Sequence, residues 1–385
     1  MEIREISIFK EFRCQGENCP DTCCKGWIIP LTREDRKRFL SAGGFFRFRF
    51  AAAMVGRRFG DFNSSCKYCP FLNIRGLCSI QLKYGHGFIP ETCRSYPRSY
   101  RNYGVFEERY VDLSCICVAG LFIKNYRDLK LISYESTAEG DLYSTNDDTG
   151  YLKDLTDTRS LFIKALYESE PQGYGCLAYV LKAIDDYASE AQDAFIHGHE
   201  DHLRTSPFVL SPYSETAFPG CPAKPDLTGS KTGAVFPLPA SAVNFLMNTA
   251  LVSEYLKYGS PYIYGIFRIY TDYPSHRISA ARLNKIYEEY TKKYPDYAGY
   301  YAAYYVYYLY KFFLNCYEDY SFTKNIRMGL IHLGMVFFLH SIYFDKNGEL
   351  PLSEFTHIMS AYNRRAYFNY KNLDRMYEVF VADFF

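Results

Sequence analysis

Three observations predict a mainly α protein in which an irregular, cysteine-rich N-terminal domain holds a metal or a cluster. Ten of the thirteen cysteines fall between Cys14 and Cys117, leaving Cys176, Cys221 and Cys316 solitary. The C-terminal half carries apolar residues at helical spacing, with Gly and Pro at the breaks. It is also rich in aromatics; the chain has 39 Tyr and 31 Phe against a single Trp. Free cysteine behaves as a small buried apolar residue and should be scattered, so the crowding needs a chemical reason. At 385 residues the chain has room for two domains. The expected division is a cysteine-cluster domain over 1–132, an acidic linker over 133–158, and an aromatic-rich helical domain over 159–385 with a loop insertion at about 197–240.

The elements follow in order. Glu2–Phe12 alternates and reads as a strand or an extended lead-in. Thr32 is placed to cap a helix, with Glu34 and Asp35 in its first turn. Ser41–Asp61 contains a Phe-Arg-Phe-Arg-Phe alternation that reads as a strand. Val118–Ile132 is apolar and helical. Leu177, Val180, Leu181, Ile184 and Tyr187 share one face, so Tyr174–Ala194 is an amphipathic helix. Further helices are expected at Ser241–Lys257, Ala280–Lys293, Tyr297–Tyr317, Thr323–Phe344, Ser353–Phe368 and Tyr370–Phe384. The Tyr-rich run near Tyr304 is apolar all round, the pattern of a buried helix.

Charge is uneven. Through Lys130 there are 22 Lys+Arg against 13 Asp+Glu, and the remainder is acidic by 30 to 22. Bound thiolates are negative, so the basic excess offsets them more simply than it recruits nucleic acid. The N-terminus lacks the apolar core of a secretory signal. The apolar runs at Tyr301–Leu314 and Met328–Phe344 fall short of the roughly 20 residues a spanning helix needs. A cytoplasmic protein with reduced thiols and no membrane contact is therefore expected.

Thiolates suit either four-coordinate zinc or an iron–sulfur cluster. A zinc ribbon needs two C-x2-C knuckles, and only Cys66–Cys69 has that spacing. Cys19-x3-Cys23 begins the C-x3-C-x2-C pattern of radical enzymes, but position 26 is Gly. The candidate ligands rank Cys23, Cys69, Cys78 and Cys93 first, then Cys14, Cys24, Cys19 and Cys115. Arg94 and Arg98 follow Cys93 and are placed either to face cluster sulfurs or to be solvated. His197, His199 and His202 read as a polar loop, and His332 and His340 as satisfied core histidines. Trp27 and Pro70 are packing residues, and Gly26 and Gly76 turn residues.

Four motifs occur in order. They are Phe-Arg-Cys14-x4-Cys19-x-Asp-Thr-Cys23-Cys24-x-Gly-Trp27; Cys69-Pro-Phe-Leu-Asn-x2-Gly-Leu-Cys78-x-Ile-Gln; Glu91-Thr-Cys93-Arg94-x-Tyr-Pro97-Arg98; and Leu113-Ser114-Cys115. Together they resemble the flagellin lysine-N-methylase (FliB-type) family, and the cysteine part is similar to zinc- or iron-chelating cysteine-cluster domains. Ser360–Asn369 is similar to that family's closing Arg-x4-Asn segment. Where the family has Pro-Glu after the last cysteine, this chain has Ile116-Cys117, and Cys66 and Cys117 are thiols extra to the family's pattern that either pair with each other or extend the site. The resemblance implies methyl transfer from S-adenosylmethionine to flagellin lysine ε-amines, with a cysteine-held [4Fe-4S] cluster. The residues themselves leave two other readings open: a non-catalytic zinc-binding interaction protein, or an iron–sulfur redox or sensor protein. No nucleotide fingerprint and no general base can be picked from the sequence.

Overall fold

The computed structural model describes residues 1–21, 23, 29–54, 69–137, 142, 144–169, 173–211, 236–247, 265, 268–270, 272–366 and 377. Cys24, Cys66, Cys221, Gly26, Trp27 and the helix expected at Tyr370–Phe384 lie outside these residues. The described part is mainly α, as expected, with one small mixed sheet.

That sheet is built from β1 (Glu2–Ile6), β2 (Arg98–Asn102), β3 (Phe106–Val111) and β4 (Leu131–Glu135), in the order β2-β3-β1-β4. β2 and β3 form an antiparallel hairpin, and β1 lies parallel to β3 with Arg4 opposite Glu108. β4 closes the other edge antiparallel to β1, with Ile3 opposite Tyr134. The alternating start of the chain is thus a true strand. The helix expected over Val118–Ile132 is shorter: α5 spans Ile116–Asn125, and the chain then enters β4. Of the stretch expected as an acidic linker, residues 133–135 complete β4 and residues 149–158 open α6 (Thr149–Ser169).

Before β2 lie α1 (Arg33–Leu40), α2 (Phe45–Met54), α3 (Ser79–Tyr84) and α4 (Glu91–Ser95). Thr32 caps α1 as expected, and Asp35 completes a capping box by accepting from the Thr32 amide at 3.1 Å. The strand expected around Phe46–Phe50 is instead the helix α2. Alternation placed Phe46, Phe48 and Phe50 on one face, but helical spacing pairs only Phe46 with Phe50. Their rings sit 5.9 Å apart, Phe50 is fully buried against Phe39, and Phe48 is left 73% exposed. These residues, with Phe71, Ile80 and Ile89, make a small core of their own.

The larger core joins the sheet to the helices that follow. α6 packs beside α7 (Gly173–Ile196), whose apolar face buries Leu177, Val180, Leu181 and Ile184 as its spacing predicts. Then come α8 (His202–Thr205), α9 (Ala240–Leu246), α10 (Ala280–Lys293), α11 (Ala298–Phe312), α12 (Cys316–Asp319), α13 (Phe322–Asn347) and α14 (Leu352–Ala366). α11 is the aromatic run, and every residue from Tyr301 to Leu309 is buried. α13 is longer than the sequence suggested. Its 26 residues are enough to cross a membrane by length and composition, but 89% of the apolar window is packed inside the protein. It serves as a core helix.

Two glycines set how closely α13 packs. A Cβ on Gly329 would meet the Tyr308 ring at 2.5 Å, and one on Gly334 would meet Leu238 at 2.3 Å. A buried ion pair ties the sheet to α6. Arg159 donates to both oxygens of Glu108 on β3 and to the Tyr310 carbonyl at 3.1 Å, and Tyr110 adds a hydroxyl donor to the same carboxylate. Removing one member of such a pair typically costs about 3–5 kcal/mol, because the other charge is stranded in the interior.

Candidate cysteine-cluster site

Three short structures deliver five of the cysteines, and the segment after β1 carries Cys14, Cys19 and Cys23. The first is the turn between Cys69 and Cys78. The Asn73 side chain accepts from the amides of Arg75 and Leu77 at 2.9 and 3.0 Å, and Gly76 takes φ +75° to let the chain reverse. Leu72 then bridges back to Cys78, so two cysteines far apart in a straight chain start and end one tight loop. The Gly76 expectation is met.

The second is α4, which carries Cys93. Asp35 of α1 accepts from the Glu91 amide at 3.2 Å, and Arg38 donates to the Ile89 carbonyl at 3.0 Å. The capping residue of one helix thus also anchors the start of the cysteine-bearing helix. The third is the corner between β3 and α5, which carries Cys115 and Cys117. Asp112 accepts from the Ser114 amide at 2.8 Å and pairs with buried Lys311 of α11. Tyr307 donates to the Val111 carbonyl at 3.1 Å. Burial alone would raise the Asp112 carboxyl pKa, but the Lys311 charge outweighs it and the net shift is downward.

These structures converge on one cavity of about 290 Å³. Its wall holds eight thiols: Cys14, Cys19, Cys23, Cys69, Cys78, Cys93, Cys115 and Cys117. Seven of the eight ranked candidates are therefore brought together, and the eighth, Cys24, lies outside the described residues. Cys117, which the sequence left as an extra thiol, is on the same wall. Its Sγ is 4.0 Å from that of Cys19, and it also hydrogen-bonds Cys115. Hydrogen bonding from Cys117 holds the Cys19 thiol down to about 6 and lowers Cys115, while Cys117 itself is pushed far up as the shared donor.

Four arginines line the same cavity: Arg13, Arg94, Arg98 and Arg364. Arg94 pairs with Glu91, and Arg98 donates to the Phe12 carbonyl at 3.3 Å while lying over the Phe9 and Phe12 rings. Arg364 is the residue the sequence reading did not single out, although it opens the quoted Arg-x4-Asn segment. It comes from α14, at the far end of the described chain. Its guanidinium donates to the Ser114 carbonyl at 2.9 Å and to the Asp21 carboxylate at 2.9 Å. Ser360, one turn earlier, donates to the same carbonyl at 3.2 Å. One side chain thus fastens both the Cys19–Cys23 segment and the Cys115 corner. The signal was present in the motif, but nothing local to Arg364 in sequence points 250 residues back.

The donor set fits a thiolate-held metal cluster. Sulfur ligands are in excess of the four that a cluster needs, and the guanidinium groups offset their charge. Among the described residues, no three Cys, His, Asp or Glu side chains close on a single ion position. A cluster does not demand that, because each thiolate binds its own iron. His332 and His340 are buried core histidines as the sequence suggested, whereas His202, expected in a polar loop, opens α8. His332 bonds the Tyr362 hydroxyl at 2.8 Å, and His340 lies between the Tyr301 hydroxyl at 2.7 Å and the Phe355 carbonyl at 3.0 Å. His197 bonds the Asp193 carbonyl at the end of α7.

No family model matches the chain, and no solved structure matches it. Curated relatives do. The chain is 27% identical over 121 residues to the flagellar biosynthetic protein FliU of Salmonella muenchen, covering 29% of this chain and 72% of that one. It is 27% identical over 121 residues to the lysine-N-methylases of Salmonella typhimurium and Salmonella choleraesuis. The match spans 30% of the length of each methylase.

Proposed function

We infer that this chain, a relative of the flagellin lysine-N-methylase (FliB-type) family, transfers methyl groups from S-adenosylmethionine to protein lysine ε-amines, with flagellin as acceptor. The observation that carries the reading is convergence. Four motifs spread from Cys14 to Cys115, and the Arg364 segment some 250 residues later, meet in one cavity. Relatives that share about a third of this chain are named lysine-N-methylases.

Four thiols from the pool of Cys23, Cys69, Cys78 and Cys93, ranked first, then Cys14, Cys24, Cys19 and Cys115, would hold a [4Fe-4S] cluster, and Cys117 adds a further thiol on the wall. Bound there, such a cluster supplies a low-potential, electron-rich centre and a rigid anchor for the surrounding loops. The chain's own residues do the rest. Arg364 and Lys311 fix the two sides of the Cys115 corner. Arg13, Arg94, Arg98 and Arg364 stand on the wall, where their charge would offset that of bound thiolates; Arg94 and Arg364 are paired with Glu91 and Asp21. In the transfer, the neutral lysine nitrogen attacks the sulfonium methyl carbon, the carbon–sulfur bond breaks, and S-adenosylhomocysteine leaves. The new ammonium then gives up a proton, so the acceptor must arrive deprotonated and in line with the methyl group.

The test is metal and sulfide analysis of anaerobically purified protein, with donor binding followed by calorimetry on the same sample. Iron with sulfide, together with S-adenosylmethionine binding, supports the reading. Zinc without sulfide and no donor binding leaves a structural cysteine site and removes it.

A further inference from the structure

We propose that a groove between α7 and the chain that follows α8 binds a lysine side chain of a partner protein through its ammonium group. The groove encloses about 440 Å³, within the range of roughly 300–1,000 Å³ usual for small-ligand sites. It shares no residue with the cysteine cavity, and binding there is independent of methyl transfer.

One wall is a single stripe of α7. Tyr179, Lys182, Ala183, Asp186, Tyr187 and Glu190 recur at helical spacing and so share one face. The other wall is the stretch 206–211, at the start of what the sequence reads as an insertion. It is tied across the helix face at two points. The Tyr187 hydroxyl donates to the Ser206 carbonyl at 2.9 Å, and the Tyr179 hydroxyl donates to the Ser211 carbonyl at 3.2 Å. Phe208 is buried, with its ring 5.6 Å from that of Tyr187 and inclined at 76° to it. Ala183 falls midway between the two tyrosines, and its short side chain leaves the space open.

The polar groups select a cation. Lys182 donates to both oxygens of Asp186, at 2.7 and 2.8 Å. Glu190, one turn further on, is exposed and makes no ion pair among the described residues. Burial, and then the Glu190 charge, pushes Tyr187 up to about 12, so its hydroxyl keeps the proton that ties down Ser206. His202 stands over Tyr187 with ring centres 5.9 Å apart, and its Nε2 is buried with no hydrogen-bond partner among the described residues. Buried polar atoms are ordinarily paired, so this nitrogen marks a place for a ligand.

An anion in the groove would be repelled by Glu190. A neutral alkyl group would leave both the carboxylate and the ring nitrogen without a partner. An alkylammonium group answers all of these features. Its N–H groups can donate to Glu190 and to Nε2, in the tautomer that carries its proton on Nδ1. Its methylenes suit the aromatic floor of Tyr187 and Phe208. The stripe from Tyr179 to Glu190 runs about 16 Å at 1.5 Å per residue. That is longer than one side chain and leaves room for the peptide on either side of the lysine.

The experiment is a ligand-observed NMR titration of the full chain, without a methyl donor, using a blocked pentapeptide of lysine between pairs of alanines. Controls are the same peptide with norleucine or trimethyllysine in place of lysine, and Nα-acetyllysine amide. The lysine peptide is expected to bind and the norleucine peptide to fail. The trimethyllysine peptide, which has no N–H to donate, and the single amino acid should bind more weakly. Glu190→Gln and His202→Phe should each weaken the lysine peptide roughly two- to fivefold, and Ala183→Leu, which fills the groove, should abolish binding. No binding of the lysine peptide overturns the proposal, as does equal binding of the norleucine or trimethyllysine peptide. Lysine binding that all three variants leave unchanged places the site elsewhere and also overturns it. Equal binding of Nα-acetyllysine amide assigns the groove to a free amine and overturns the protein partner.

Discussion

Arg364 and Asp21 are separated by 343 residues and meet in an ion pair with Nη1 2.9 Å from Oδ2. The arginine is almost fully buried, so its charge is compensated by this carboxylate and by the Ser114 carbonyl. Cutting the contact leaves half-buried Asp21 without this partner and releases both cysteine segments together. Arg364→Met is expected to destabilise the protein by about 1–3 kcal/mol and to lower bound iron severalfold. Arg364→Lys keeps the charge but loses the fork, and so should retain part of the iron. Equal iron in Arg364→Met and wild type would contradict this role.

Arg159→Met should also cost about 3–5 kcal/mol, because buried Glu108 loses its partner. Its cysteine wall is untouched, so iron binding per folded molecule should stay at the wild-type level. Denaturant unfolding and iron analysis on the same preparation check both halves.

Gly334→Ala places a methyl group where Leu238 already sits. Overpacking of this kind costs about 1–3 kcal/mol. Pairing it with Leu238→Ala, which opens the space, should return part of the loss; a strictly additive double variant would show that the two residues are not in contact.

His332 and His340 are both buried, and burial holds each down to about 3. Both are therefore neutral in the folded protein above that value, whereas the unfolded chain takes up protons below about 6.5. Stability is fully present above about pH 6.5 and falls as the pH drops toward 3, by about 1.4 kcal/mol per pH unit for each histidine. His340 has a defined tautomer. Its Nε2 donates to the Phe355 carbonyl, so Nδ1 accepts from Tyr301, and Tyr301 in turn accepts from Tyr290 at 2.7 Å. His340→Gln should flatten the acid limb of the stability profile; an unchanged limb would show that other groups govern it.

Much of the helical part was legible because its signals are local. The α7 stripe, the Thr32 cap and the all-round aromatic α11 each depend on neighbours within a few turns. The α2 helix was misread because Phe-Arg-Phe-Arg-Phe satisfies a period of two as well as a period of 3.6, and only the packing of Phe50 on Phe39 decides between them. The cysteines were visible as a set from spacing and motif. The place of Cys117 on the same cavity and the reach of Arg364 were not, because each is set by tertiary packing. The sheet was hidden for the same reason: β1 pairs with β3 across more than a hundred residues.

The most direct measurement is transfer of a labelled methyl group from S-adenosylmethionine to purified flagellin, using anaerobic iron-loaded protein beside Cys93→Ala. Label on lysine ε-nitrogens is expected with the wild type, and its loss in the variant. No label on flagellin from a fully iron-loaded wild type would contradict methyl transfer.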